Sequence, residues 1–273
     1  ESRRDFVKYH RRFCSIMSER IAVTINGGQK SPNESNFSEK IEREDTYEKN
    51  VRLCTQDSFS ASSIGAKSQG YTLKSRSELP KNFQNLVEVF RPTQLFPEKL
   101  EQFPNYAIKV FQDSVYLGEI IEGQRQGQGF IVYLSNRSYE GEWENDQRHG
   151  NGIETDSKGN KYSGSFNAGR PHGNGMYHWK NGDSYDGQWH YGKKQGSGVW
   201  KNVKGDLYIG EWKNSKPDGY GVYMWRNGDR YEGEWHACLK HGHGFEKFAN
   251  GNTYSGDFVY GKSQGKGEFT WAN

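Results

Sequence analysis

His241 and His243 stand one residue apart, so on an extended strand both imidazoles would face one side, an arrangement that zinc or copper could use. The wider pattern argues against a metal. His149, His172 and His241 are separated by multiples of 23 residues, and Gln126, Gln195 and Gln264 hold the same place in other copies. An amide does not replace an imidazole ligand, so these residues read as loop side chains that hydrogen-bond the backbone. Glu119, Glu142, Glu211 and Glu234 recur with the same beat and read as a solvated strand face rather than a paired acid and base. Glycine-rich phrases such as Gly196-Ser197-Gly198 are not phosphate loops, because no helical pattern follows to supply an N-terminal dipole. These residues therefore point to no catalytic residue, no metal site and no cofactor.

The elements that carry them form a strict repeat. Tyr116, Tyr139, Tyr162, Tyr185, Tyr208, Tyr231 and Tyr254 are spaced by 23 residues without insertion or deletion. Two residues after each comes glycine, as at Gly118, Gly141, Gly187, Gly210 and Gly233. The fifth place is large and apolar: Ile120, Trp143, Phe166, Trp189, Trp212, Trp235 and Phe258. A Gly-x-Gly pair follows, then an Asn-Gly or Lys-Gly signal such as Asn181-Gly182 or Lys204-Gly205. Side chains alternate along a strand, so tyrosine, glycine and tryptophan share a face while the glutamates take the other. Each unit is thus expected to be a β-hairpin, with a polar stretch such as His190 to Lys194 inside it and a tight positive-φ turn between units. Glycine leaves a gap on the inner face that a neighbouring ring is expected to fill. One hairpin cannot bury its own aromatic face, so the units must stack, each adding ~10 Å. The expected fold is all-β, a single-file array of about seven hairpin repeats in a curved, twisted ribbon, with all eight tryptophans inside it.

This pattern resembles the MORN repeat, the membrane occupation and recognition nexus family, over residues 116–273, with the last unit incomplete. Asp146, Ser215 and Cys238 depart from the glycine usual at the eighth place, and Ile120 from the usual aromatic. The resemblance implies a scaffold of cilia, basal complexes or membrane contact sites. In some members the array is joined to a lipid kinase, a methyltransferase or an exchange factor, and the remaining sequence has no such composition.

Residues 1–105 are different material. Runs such as Ser31 to Asn36 and Asp57 to Ser63 bury too little apolar surface to offset ordering entropy, so this leader is expected to be extended or disordered until partners order it. Within it, Phe6, Tyr9, Phe13, Ile16, Met17 and Ile21 fall near one helical stripe among Arg3, Arg4, Lys8, Arg11 and Arg12, which predicts a basic amphipathic helix near 3–21. Residues 106–115 read as a strand capping the open end of the array. The sequence begins at Glu1 and stops before its last unit closes, so it reads as part of a longer chain.

Charge excludes some partners. The first 100 residues carry net +4 and the rest −1, within +3 overall, so the array has no basic field for nucleic acid. Cys14, Cys54 and Cys238 are too few and scattered for a disulfide framework, which suits a reducing compartment. No apolar run reaches the ~20 residues a membrane span needs. The reading is a non-enzymatic scaffold, binding other proteins of a multi-subunit cytoskeletal assembly inside the cell, in the cilium or axoneme. The alternative is a peripheral module on anionic lipid at the cytoplasmic face of a membrane. Residues assigned to partner binding are Phe6, Phe13 and Met17 in the leader, and Tyr177, Trp179, Trp200, Tyr223 and Trp225 as exposed or half-exposed aromatics near the groove.

Overall fold

The computed structural model describes residues 70–73, 75–90 and 102–272, so the helix expected near 3–21, with Phe6, Phe13 and Met17, lies outside the described residues. The described residues form one antiparallel sheet of 16 strands whose spatial order is their chain order. It begins with β1 (Tyr71–Leu73), β2 (Tyr106–Val110), β3 (Ser114–Ile121) and β4 (Gln124–Tyr133). From β5 (Ser138–Glu144) and β6 (Gln147–Thr155) the pattern repeats to β15 (Thr253–Val259) and β16 (Lys262–Thr270).

Glycine faces glycine across the whole sheet: Gly118 opposes Gly129, Gly129 opposes Gly141, and so on to Gly256 and Gly267. The tyrosine two residues earlier lays its ring over each pair. A Cβ on Gly210 would come within 2.5 Å of Tyr208 Oη and 2.6 Å of the Gly221 Cα, so no side chain fits there. The ring that fills the gap thus belongs to the same strand. Its hydroxyl donates to the main-chain carbonyl three residues on, from Tyr116 to Glu119 (2.9 Å) through Tyr208 to Glu211 (3.0 Å) to Tyr254 and Asp257 (3.2 Å).

The tight turns lie elsewhere than expected. Inside each unit two consecutive residues take left-handed backbone, as at Asn145 (φ 50°) and Asp146 (φ 65°) or Tyr191 (φ 45°) and Gly192 (φ 85°). This primed turn has the twist that two right-handed strands need, so it closes the hairpin. Between units the loop is longer and uses one left-handed residue, such as Gly205 (φ 102°), with Asn202 N–H donating to Asp206 O at 3.0 Å. Asp146, Ser215 and Cys238 therefore occupy positions where glycine would be relaxed. Cys238 is buried at this turn.

The inter-unit loops are tied in series. Asp183 Oδ1 accepts Val203 N–H at 2.9 Å, Asp206 accepts Arg226 at 2.8 Å, and Asp229 accepts Ala249 at 2.8 Å. Each acceptor belongs to one unit and each donor to the next.

The face opposite the tyrosines carries a second core at the N-terminal end. Helix α1 (Lys81–Val89) and the residue run before it set Leu79, Phe83 and Val87 against Ile108, Val110, Val115, Leu117, Phe130 and Val132. Two boundaries are thereby corrected. The leader up to 105 is not uniformly irregular, since it supplies β1 and α1. The capping segment 106–115 is not one strand, because β2 ends at Val110 and β3 starts at Ser114. Phe83, Leu86 and Val87 have helical spacing, and a stretch this short is lost in a sparse average.

Gly210→Val is expected to lower stability by ~3 kcal/mol or more, because the clash is with backbone and with a locked ring. Chemical denaturation measures it, and an unchanged midpoint would contradict this packing.

Candidate functional site

The tyrosine face is a continuous ladder of rings. Tyr208 meets Trp212 of its own unit at 5.3 Å and Trp235 of the next at 5.4 Å, both nearly perpendicular. The same alternation runs from Tyr116 through Trp143, Tyr139 and Phe166, and on through Tyr185 to Trp189, Tyr231 and Phe258. Edge-to-face contact sets the positive rim of one ring against the negative face of another. The indole N–H of Trp143, Trp189, Trp212 and Trp235 donates to the carbonyl of Gly129, Gly175, Gly198 and Gly221 respectively, each in the preceding unit. Burial pushes the hydroxyls of Tyr116, Tyr139, Tyr185 and Tyr208 well above the ordinary phenol range. The more exposed Tyr220 is pushed up to about 12 by burial and by Glu232.

Into this ladder the tenth residue of the first, second, fourth and sixth units inserts a cation. Arg125, Arg148, Lys194 and Lys240 are all buried, while Pro171 and Pro217 hold the place in the units between. Arg125 stacks 4.2 Å from the Trp143 ring and bonds Asp146 at 3.0 Å. Burial acts to raise the Asp146 carboxyl, but hydrogen bonds and charge from Arg125 outweigh it and hold the group below its usual range. Arg148 lies 5.5 Å from Phe166 and bonds Glu154 at 2.5 Å, and Lys240 lies 4.9 Å from Trp225 and pairs with Glu246.

Lys194 differs. Its ammonium sits 4.5 Å from Trp212, 5.3 Å from Trp179 and 5.4 Å from Tyr185, without a hydrogen-bond partner among the described residues. Trp200 stands where Glu154 and Glu246 stand in their units, and Ser215 where Asp146 stands. Loss of water pulls the Lys194 pKa down to about 7. Sequence reasoning missed this column because Arg, Pro, Lys and Ser share it. Aligning the units and marking only charged residues would have exposed it.

The aromatics assigned to partner binding belong to the same ladder. Tyr177, Trp200, Tyr223 and Trp225 are buried, Trp200 and Tyr223 to 1% exposure, and Trp179 is half-buried. Tyr177 meets Trp179 at 4.7 Å, and Tyr223 meets Trp225 at 4.5 Å. The expectation of exposed rings is corrected, since the sixteenth and eighteenth places fall on the tyrosine face and pack there. The glutamate column also holds backbone. Glu119 accepts Gln128 N–H at 2.9 Å and Glu142 accepts Asn151 N–H at 2.8 Å, so these carboxylates hold the bulges at Gly127 and Gly150. His149 faces Glu144 at 3.1 Å and His236 faces Asp218 at 3.2 Å, and no metal-binding cluster occurs among the described residues. No helix among them is long and apolar enough to cross a membrane.

The model of the MORN repeat matches residues 116–133, 139–161, 162–184, 185–207, 208–230, 231–253 and 254–273. The chain belongs to the MORN repeat family. MORN arrays are repeat scaffolds and interaction modules rather than an enzyme family. No curated protein matches the chain. Among solved structures, the TCP domain of Drosophila melanogaster SAS-4, in complex with a proline-rich motif of Ana2, is similar at 10% identity. That match covers 54% of this chain and 84% of that one, with a TM-score of 0.33. The G-box domain of the microcephaly protein CPAP is similar at 13% identity over 63% of this chain and 96% of that one, with a TM-score of 0.30. Likeness at this level carries no argument about what the MORN array binds.

Because the Lys194 pKa is depressed in the fold, to about 7, the unfolded chain binds the extra proton between that value and ~10.4. Stability is therefore expected to rise as pH increases from 7 toward 9.5, before unfolded tyrosines begin to ionise. Lys194→Met is expected to flatten that slope and to raise the midpoint at pH 7 by ~2–4 °C, the shift that ~1 kcal/mol gives a domain of this size. Calorimetry across the pH range measures both, and a lower midpoint in Lys194→Met would contradict the buried-cation cost.

Proposed function

We propose that this chain is a non-enzymatic structural scaffold, a protein–protein interaction module of a multi-subunit cytoskeletal assembly in the cilium or axoneme. The observation that carries the reading is the unbroken ladder of rings from Tyr116 to Phe258, with indole-to-carbonyl bonds between units. Every unit is fastened to the next by side chain and by backbone, so the array behaves as one stiff platform rather than as beads. Such a platform holds partner proteins at fixed spacings, which is what an assembly built on a regular filament requires. The family's membership of cytoskeletal scaffolds points the same way.

The membrane alternative finds less support. Residues 101–273 carry net −1, and the exposed side of the strands presents carboxylates such as Asp186 and Glu234, which an anionic surface repels.

Fractionation of ciliated cells tests the reading. The full chain is expected to remain with detergent-extracted axonemes and to crosslink to axonemal proteins, whereas release into the detergent phase would overturn it. Flotation with phosphatidylserine vesicles at physiological salt is expected to leave the chain at the bottom of the gradient. Salt-sensitive flotation of the array would favour the lipid module instead.

A further inference from the structure

The net −1 of residues 101–273 hides a segregation of charge. Because successive strands alternate in direction, every inter-unit loop emerges on one long edge of the sheet and every hairpin turn on the other. In the second to sixth units, the loops and the strand ends beside them (155–161, 178–184, 201–207, 224–230 and 247–253) hold eight Lys and Arg against four Asp. That edge carries net +4, and the remainder of residues 101–273 carries −5.

The aspartates are engaged within the loops. Asp156, Asp183, Asp206 and Asp229 accept amides of their own loop or of the next, as Asp206 does with Asn202 Nδ2 at 2.8 Å and Arg226 N–H at 2.8 Å. The cations are left outside. Lys158, Lys180, Lys201, Lys204, Arg226 and Lys247 are exposed and form no ion pair within 4 Å among the described residues. Lys180 lies across Gly159, where an added Cβ would meet its Cδ at 3.4 Å, and Arg226 lies across Gly205, where a Cβ would meet its Cγ at 3.8 Å. The Lys180 amide is held by Asn160 Oδ1 of the preceding loop at 2.9 Å. The cations are thus set out at the spacing of the array, two strands or ~9.6 Å per unit. Inward of this edge the strands expose Asp186 and Glu234, so the positive strip is narrow.

What fits such a strip is a thin, regular chain of negative charge. No exposed ring lies among the cations to stack on a base. A run of Glu and Asp repels itself into an extended chain, and in the polyproline II form every third side chain lines one side at ~9.3 Å, close to the unit spacing. Lys158 to Arg226 spans three units, ~29 Å, the length of about ten residues of such a chain.

We propose that this edge binds an extended acidic segment of a partner protein, a run of about ten Glu and Asp residues. One carboxylate per turn meets Lys158, Lys180, Lys204 and Arg226 in succession, and Lys201 and Lys247 flank the segment. The proposal deepens the scaffold reading, on which it rests in taking the partner to be a protein.

Fluorescence anisotropy of a labelled decaglutamate peptide against the full chain tests it. Binding at physiological salt is expected, and it weakens as salt is raised. Lys180→Glu with Arg226→Glu is expected to weaken binding ~10-fold, whereas Lys213→Glu with Lys216→Glu, the same change of charge on the hairpin-turn edge, changes it less than ~2-fold. Carbodiimide coupling of the bound peptide is expected to link it to Lys180 or Lys204. All four substituted side chains are exposed, and the unfolding midpoint of each variant checks that the sheet is intact. No binding at physiological salt, equal weakening by the two variants, links confined to the first 70 residues, or tighter binding of decathymidylate or phosphatidylserine vesicles would each overturn the proposal. If the chain still stays with detergent-extracted axonemes in that event, the acidic-segment proposal fails alone and the scaffold reading stands.

Discussion

A tyrosine ring pressed onto two facing glycines sets the dimensions of everything else in this protein. The hydroxyl of Tyr208 comes within reach of the Glu211 carbonyl only because Gly210 and Gly221 offer no Cβ between them. With the ring pinned there, its edges are left to meet Trp212 on one side and Trp235 on the other. The strand beyond must then bulge at the first glycine of each Gly-x-Gly pair, and a glutamate from the neighbouring strand caps the freed amide. Hairpin, bulge and inter-unit contact are consequences of one geometric fit.

The same fit explains why cations are tolerated inside the ladder. A ring stack presents negative π-faces at a regular interval, and Arg125, Arg148, Lys194 and Lys240 approach them from the tenth place of their units. Three of the four receive a carboxylate as well. Lys194 has only rings around it, so the array spends stability locally at its fourth unit. Pro171 and Pro217 carry neither charge nor N–H at that place.

What could be read from the chain follows from which constraints are one-dimensional. The 23-residue beat, the shared face of Tyr, Gly and Trp, and the stacking of hairpins depend on spacing alone, and spacing is visible. Which aromatics remain open is a matter of three-dimensional packing. Trp200 and Tyr223 carry the side chains a binding groove would use, yet neighbours on adjacent strands already cover them. The turn between units carried the stronger Asn-Gly signal, but the tighter turn formed at pairs such as Asn214 and Ser215, where strand twist rather than residue preference decides. Helix α1 was hidden because its apolar stripe is two turns long, and its partners sit on three different strands.

The central claim is that rings of successive units are energetically coupled, so that the array acts as one body. A double-mutant cycle between Tyr208 and Trp235, each replaced by leucine singly and together, measures that coupling across a unit boundary by chemical denaturation. A coupling of ~0.5–1.5 kcal/mol is predicted from the perpendicular contact at 5.4 Å. Strictly additive losses would contradict the account.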